Sequence, residues 1–181
     1  MVQTLRFCFC AFVVLIGAGV SLCALEVDFN SMRATFIQKT TSQDNTLLYS
    51  GVFYIKQNSD RTHKAKWIYE KPTKKEIYID GNQVLVYEPF LEQVSISKTG
   101  QKIDFLRILH EARLQKDGTY LAAFNDTNYV LTYHNKKDFT ITFQDEFDNT
   151  IEIVFNNVQT NIPIKDEEFS FVIPPNVDII Q

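Results

Sequence analysis

Cysteine is scarce in this 181-residue sequence, and all three copies, Cys8, Cys10 and Cys23, lie within the first 24 residues. Residues 25–181 therefore contain none, which excludes a disulfide framework, a cysteine-ligated metal site and a cysteine nucleophile from that range. Glycine and proline are also few, at 6 and 5 residues. This composition excludes a disordered or collagen-like chain.

Positive charge is not in excess. The chain has 18 lysines and arginines and 22 aspartates and glutamates, which give a formal net charge of −4. No basic stripe or tail is present, which argues against a nucleic-acid partner. The three histidines, His63, His110 and His134, lack metal-ligand spacing, and no nucleophile elbow, phosphate loop or paired-carboxylate motif is found. We expect no catalytic residues, no metal and no cofactor. A Ser-His-Asp set assembled from distant segments is the enzymatic alternative.

The first residues have the features of an export signal. Arg6 precedes an apolar run, Phe7 to Val20, that is short for a membrane span, and small residues follow it. We predict a signal peptide at 1–24, cut after Ala24, and a single domain at 25–181. An uncleaved anchor and lipidation of Cys23 are alternatives, although Leu22 is large for the position before an acylated cysteine.

Aromatic residues make up 13% of the chain, with 15 Phe and 8 Tyr, and they fall in short runs that alternate with polar residues. A period of two is typical of strands with one buried and one solvated face. About ten short strands are predicted from the eleven alternating segments 33–40, 47–55, 65–69, 77–80, 84–87, 94–96, 120–124, 129–134, 139–143, 151–155 and 169–173.

The period changes only between Ile103 and Leu114. There Phe105, Ile108, Leu109 and Ala112 recur at helical spacing, which predicts one amphipathic helix. Short connections favour antiparallel neighbours, and a large sheet with one apolar face must curl or be covered. We therefore predict a mainly β fold, a single curved antiparallel sheet forming a half-open, incomplete barrel with a helical lid. Whether its interior is filled or holds a ligand stays open.

The stretch from Lys66 to Ser97 reads KWIYEKPTKKEIYIDGNQVLVYEPFLEQVSIS. Its Trp67, Pro72, Asp80-Gly81 turn and the run from Tyr87 to Gln93 resemble the central motif of LolA, the periplasmic outer-membrane lipoprotein carrier family. Phe36-Ile37-Gln38 resembles the first strand of that family, and the tail FSFVIPPNVDII resembles its closing strand. The resemblance implies a half-open barrel lidded by helices that binds acyl chains inside.

The same resemblance implies a periplasmic carrier. Its partners would be acylated outer-membrane lipoproteins, an inner-membrane lipoprotein release transporter and, as an open point, an outer-membrane receptor. A monomer is expected. In the family an arginine shortly before the tryptophan strand holds the lid closed through helix carbonyls, and the matching position is Arg61. Leu25 to Ser31 is short for the N-terminal helix of the family, so we expect a smaller lid.

The predicted site is a hydrophobic cavity with a lid formed by Phe105, Ile108, Leu109 and Arg61. Its predicted lining consists of Phe53, Ile55, Trp67, Tyr69, Ile77, Ile79, Val94, Ile96, Phe139, Ile141, Phe143, Ile153 and Phe155. Four rival hypotheses remain. They are a lipid-anchored receptor of the same fold, a lipid-binding barrel with another cargo, a periplasmic lipid hydrolase and a barrel with a filled core.

Overall fold

The computed structural model describes residues 29–43, 45–98, 105–135 and 137–181. The predicted signal peptide at 1–24, and the predicted helix start at Ile103, lie outside these residues. Within them, no helix has the length and apolarity needed to cross a bilayer.

Twelve strands and one α-helix form the described chain. The strands are β1 (Ser31–Thr41), β2 (Thr46–Gln57), β3 (His63–Lys71), β4 (Lys75–Asp80), β5 (Gln83–Glu88), β6 (Gln93–Lys98), β7 (Arg113–Leu114), β8 (Tyr120–Phe124), β9 (Thr127–Asn135), β10 (Asp138–Gln144), β11 (Thr150–Thr160) and β12 (Asp178–Ile180). Helix α1 spans Phe105–Glu111. Two 3₁₀ turns, Pro89–Leu91 and Asp166–Phe169, complete the described elements.

All twelve strands belong to one sheet, in the order β12-β6-β5-β4-β3-β2-β1-β11-β10-β9-β8-β7. Every pairing is antiparallel except that of β12 with β6. Strand β1 pairs with β2 on one side and β11 on the other, so it joins the two halves of the chain. The ends of the sheet, β12 and β7, do not pair with each other. The prediction of a single open, curved sheet with one helix is confirmed.

The face of the sheet that carries the buried core is called the inner face. Residues directly opposite each other in an antiparallel pair point to the same side. Phe36 of β1 lies opposite Phe155 of β11, and Phe155 lies opposite Phe139 of β10. On the other side, Phe53 of β2 lies opposite Trp67 of β3. Alternation at period two therefore collects the apolar side chains of most strands on one side.

The C-terminal segment after β11 crosses the opposite side, called the outer face. Lys56 Nζ donates to the Ile164 carbonyl at 3.1 Å and pairs with Asp166 at 2.8 Å. Further along, the Phe171 ring contacts Tyr78 and Tyr87, with centroids 5.2 and 5.1 Å away. The chain's own tail thus covers part of the outer face, at Tyr78 and Tyr87.

Two expectations about the elements are corrected, and one strand was missed. The segment from Phe169 to Ile173 is not a strand, because Phe171 packs on the outer face and the backbone joins no ladder there. Helix α1 ends at Glu111, and Arg113–Leu114 pairs with β8 as an edge strand. Strand β12 was not predicted, because three residues are too few to show a period.

Candidate functional site

Aromatic rings occupy the centre of the inner face. Phe155 is fully buried and lies with its ring centroid 4.9 Å from Phe139, 5.6 Å from Phe53 and 5.9 Å from Trp67. Phe53 and Trp67 are 4.2 Å apart. Phe36 meets Trp67 edge-on at 5.0 Å. This packed aromatic centre supplies a large apolar area and fixes ring orientation through tilted and edge-to-face contacts.

Helix α1 lies over this centre. The Phe105 ring is 5.1 Å from Phe53 and 5.5 Å from Phe155. Leu106, Ile108 and Leu109 are buried in the same cluster as the strands. The described part of α1 has seven residues, a length that is not stable as an isolated helix, so packing against the sheet maintains it. The helix therefore has the placement expected of a lid.

The inner face continues beyond α1 towards β5. Trp67, Ile77 and Val84 are partly buried and pack against the core, and Val86 extends the same row. On β6 the row becomes polar, because Ser95 lies opposite Val86 and Ser97 lies opposite Val84. A partly exposed apolar strip, formed by Trp67, Ile77, Val84 and Val86, is thus bounded by the polar inner side of β6. We call it the open strip.

Two tyrosines border the aromatic centre on the β1–β3 side. The Tyr69 hydroxyl donates to Gln38 Oε1 at 3.1 Å, and its ring meets Tyr49 at 5.9 Å. Burial, with a smaller contribution from Tyr49, raises the pKa of Tyr69 from 10.0 to about 12. Tyr69 thus presents a neutral hydroxyl and an apolar ring to the inner face throughout the physiological pH range.

Raising the pH from 10 to 12 is expected to lower the free energy of unfolding, because the unfolded Tyr69 loses its proton before the folded one does. A shift from 10.0 to about 12 corresponds to about 2–3 kcal/mol. Tyr69→Phe should make this decline shallower. Urea unfolding across the range, with absorbance titration at 295 nm, measures both effects. If the ionisation step that Tyr69→Phe removes had a midpoint near 10, the assignment would be wrong.

A second aromatic group lies at the β9–β10 side of the inner face. Tyr133 stacks on Phe139 at 5.3 Å and meets Tyr120 at 5.5 Å. Tyr129 contacts Phe143 at 5.0 Å. Burial raises the pKa of both Tyr129 and Tyr133. The apolar surface therefore extends almost across the full width of the sheet.

The structure brings most of the predicted lining residues together on the inner face. Those in the buried cluster are Phe53, Ile55, Ile79, Phe139, Ile141, Ile153 and Phe155, and those partly buried against it are Trp67, Tyr69, Ile77 and Phe143. The predicted lid residues Ile108 and Leu109 are buried in the cluster, and Phe105 packs against it. Whether this surface binds a ligand stays a prediction.

Val94 and Ile96 are corrected, because they lie on the outer face. Val94 is opposite Tyr87, and Ile96 is opposite Leu85, which is itself opposite Tyr78. Tyr78 and Tyr87 are the residues that Phe171 covers. The two β6 side chains therefore cannot line the same surface as Phe53 and Phe155.

Arg61 is also corrected. It lies in the exposed turn between β2 and β3, with a φ of 65°, and its backbone N–H donates to the Asn58 carbonyl. Within the described residues its guanidinium makes no hydrogen bond with α1. Among these residues, the predicted latch is therefore not formed. Asp60 Oδ1 accepts hydrogen bonds from the Thr62 N–H and hydroxyl and so orders the turn.

Sequence reasoning missed several inner-face residues. Phe36 and Leu131 are buried in the core. Their strands were predicted, but neither residue was among the predicted lining residues. Val84 and Val86 alternate with Leu85 and Tyr87, and that alternation could have assigned them to one face. Both faces of β5 are apolar, however, so the pattern alone does not say which one is inner.

The chemistry of the site is that of an apolar surface. Among the described residues, no group of three or more His, Cys, Asp or Glu side chains could hold a metal ion. In the same residues, every buried side-chain nitrogen or oxygen has a hydrogen-bond partner. The arrangement can hold hydrocarbon by exclusion of water, and it presents no orphaned polar group that would select a polar ligand.

Comparison with known proteins gives a consistent result. Residues 28–172 match the family model described as outer membrane lipoprotein carrier protein LolA. The outer-membrane lipoprotein carrier protein of Campylobacter jejuni is 34% identical over 173 residues, which cover 96% of this chain and 98% of that protein. That of Helicobacter pylori strain HPAG1 is 38% identical over 152 residues, which cover 83% and 80% of the two chains.

Among solved structures, a DUF1329 family protein from Desulfovibrio piger aligns with a TM-score of 0.53. It is 12% identical, and the alignment covers 80% of this chain and 91% of the other. This likeness concerns the fold alone. On the extent of the family match and the identity to two carrier proteins, the chain belongs to the LolA family of outer membrane lipoprotein carrier proteins.

Proposed function

We propose that the inner face binds the acyl chains of lipoproteins and that the protein carries them between the inner and outer membranes. The observation that carries the proposal is a continuous apolar face, covered at its centre by α1 and only partly covered along the open strip. The family match and the names of the relatives support it independently.

The energetics of lid opening favour this proposal. An acyl chain of about 16 carbons gains roughly 0.8 kcal/mol per buried CH₂, or about 12 kcal/mol if it is fully buried. Displacing α1 exposes the apolar side chains of Leu106, Ile108 and Leu109, which are now buried. That exposure costs about 1.5–3 kcal/mol per side chain. The free energy gained by burying one acyl chain therefore offsets the cost of displacing α1, so the acyl chain can take the place of the helix.

The open strip is the proposed entry site. Hydrocarbon can contact Trp67, Ile77 and Val86 without prior movement of α1. Further burial of the chain then requires α1 to shift and brings the ligand against Phe53 and Phe155. Because bound ligand replaces helix contacts, binding stays moderate, as delivery of a cargo requires.

The export prediction and the partners follow from the same proposal. Export and cleavage after Ala24 would place the mature chain in the periplasm. We expect it to be a monomer there. Acylated outer-membrane lipoproteins would be its cargo, and an inner-membrane release transporter would supply them. An outer-membrane receptor would accept them.

N-terminal mass analysis of protein from the periplasmic fraction should find Leu25 as the first residue, whereas acylated Cys23 would indicate the receptor alternative.

An aspartate in the open strip is expected to impair binding of a fluorescent fatty-acid probe. Ile77→Asp places a carboxylate where hydrocarbon would lie, and the cost of burying it should raise the dissociation constant at least about tenfold. Titration of probe fluorescence measures the effect.

Leu85→Asp is the matched control. Leu85 is also partly buried and lies on the neighbouring strand, but it faces outwards opposite Tyr78. It should leave probe affinity within about twofold of wild type, provided that circular dichroism shows a folded protein. Equal loss of affinity in both variants would mean that the probe does not bind at the open strip.

A further inference from the structure

Exposed apolar side chains gather where β5, β6 and β12 meet. Phe90 and Leu91 project from the 3₁₀ turn between β5 and β6, with 83% and 56% of their surface accessible. Ile179 and Ile180 of β12 are each 50% exposed. The Asp178 N–H donates to the Glu92 carbonyl at 2.8 Å and holds β12 beside the turn. Ile179 pairs with Val94 and Ile180 with Ser95, so these two side chains point to opposite faces of the sheet. We call Phe90, Leu91 and Ile179 the edge patch.

Three carboxylates border the edge patch. Glu88 lies opposite Gln93, and Gln93 pairs with Asp178, so the two acidic residues are two strand spacings, or about 10 Å, apart. Glu92 occupies the turn between them. No ion pair involving these three carboxylates occurs within the described residues. Three lysines lie at the same end of the sheet. Lys75 places its ammonium 4.8 Å from the centroid of the Tyr69 ring, and Lys71 and Lys74 belong to the β3–β4 turn, one strand further from β12 than the patch.

The backbone of β12 offers a second means of recognition. It is the last strand of the sheet. It pairs with β6 on one side, and in the described chain no strand pairs with its other side. Proteins usually protect such edges by keeping them short or with lysine, proline or a covering element, and β12 is short, with three residues. Here the edge carries Ile179 and Ile180, which are exposed. An extended peptide can add to an edge of this kind through main-chain hydrogen bonds.

We propose that the edge patch binds an extended segment of a partner protein, with apolar side chains flanked by lysine or arginine. The apolar residues would cover Phe90 and Ile179, and the cations would pair with Glu88, Glu92 and Asp178. An anionic membrane surface and a second copy of this chain would both bring negative charge to the carboxylates. The charge pattern therefore favours a basic protein segment. The inference does not depend on lipid binding at the inner face.

The test uses the full chain and a short synthetic peptide with a valine and isoleucine centre and lysine at both ends. Isothermal titration calorimetry should show binding that weakens with added salt. Phe90→Ala should raise the dissociation constant roughly tenfold, because it removes an exposed aromatic anchor. Asp178→Lys should weaken binding through charge repulsion. Neither variant should change the affinity of the fatty-acid probe for the inner face.

The control variants lie on the β10–β11 turn, where Phe147 is 76% exposed and Glu146 is also exposed. Phe147→Ala and Glu146→Lys should leave peptide binding unchanged. No binding of the lysine peptide, or equal binding of one with glutamate ends, would overturn the proposal. It would also be overturned if the wild-type protein bound phosphatidylglycerol vesicles, or formed a dimer in sedimentation experiments, and Phe90→Ala abolished that vesicle binding or dissociated that dimer.

Discussion

Replacing Phe155 with alanine is expected to lower the free energy of unfolding by about 3–5 kcal/mol. The side chain is fully buried on β11, opposite both Phe36 and Phe139. It also contacts Phe105 of α1 at 5.5 Å, so it joins the helix to the sheet. Its loss leaves a cavity between packed rings that cannot collapse without bending the sheet. Chemical denaturation followed by circular dichroism measures the change.

Phe90→Ala is the matched control for this experiment. It deletes the same atoms from a ring that is 83% exposed, so the change in stability should stay within about 0.5 kcal/mol. A loss below about 1 kcal/mol in Phe155→Ala would show that the aromatic centre is loosely packed, contrary to the structure.

Gly51→Ala is expected to destabilise the fold by about 3 kcal/mol, the upper end of the usual cost of overpacking. A Cβ at this position would lie 1.8 Å from the Ile68 carbonyl oxygen and 3.0 Å from Phe36 Cε1. The oxygen belongs to the backbone of β3, and the β2–β3 register shifts next to Gly51, so relief of the clash requires the two strands to separate. The difference in urea midpoint between variant and wild type tests this expectation.

Gly81→Ala provides the comparison. Gly81 has a φ of +61°, and a Cβ there would meet no atom within 4 Å. Its only cost is left-handed backbone strain, roughly 1–2 kcal/mol. Equal destabilisation by the two variants would contradict the close approach of β2 and β3 at Gly51.

The sequence predicts the inner strands well because their two faces differ. In β10, Phe139, Ile141 and Phe143 alternate with threonines, and the structure places all three on the inner face. Helix α1 was recognised for the same reason, from apolar residues at helical spacing. Where one face is buried and the other solvated, the period alone identifies the strand and its orientation.

The failures share a different physical cause. The outer face is also apolar between β4 and β6, because the C-terminal tail covers it with Phe171. Val94 and Ile96 alternate with serines like inner-face residues, yet they lie on the outer face, where Val94 is opposite Tyr87. The same covering explains why the period of Phe169 to Ile173 does not indicate a strand. A pattern reports that a face is buried but not which element buries it.

The central claim is that this protein recognises the acyl chains of its cargo. The most direct measurement compares a purified acylated outer-membrane lipoprotein with the same protein lacking its acylated cysteine, each mixed with this chain and followed by native mass spectrometry. Our account predicts a one-to-one, water-soluble complex with the acylated form and none with the other. Equal binding of both forms, or no complex with the acylated one, would contradict it.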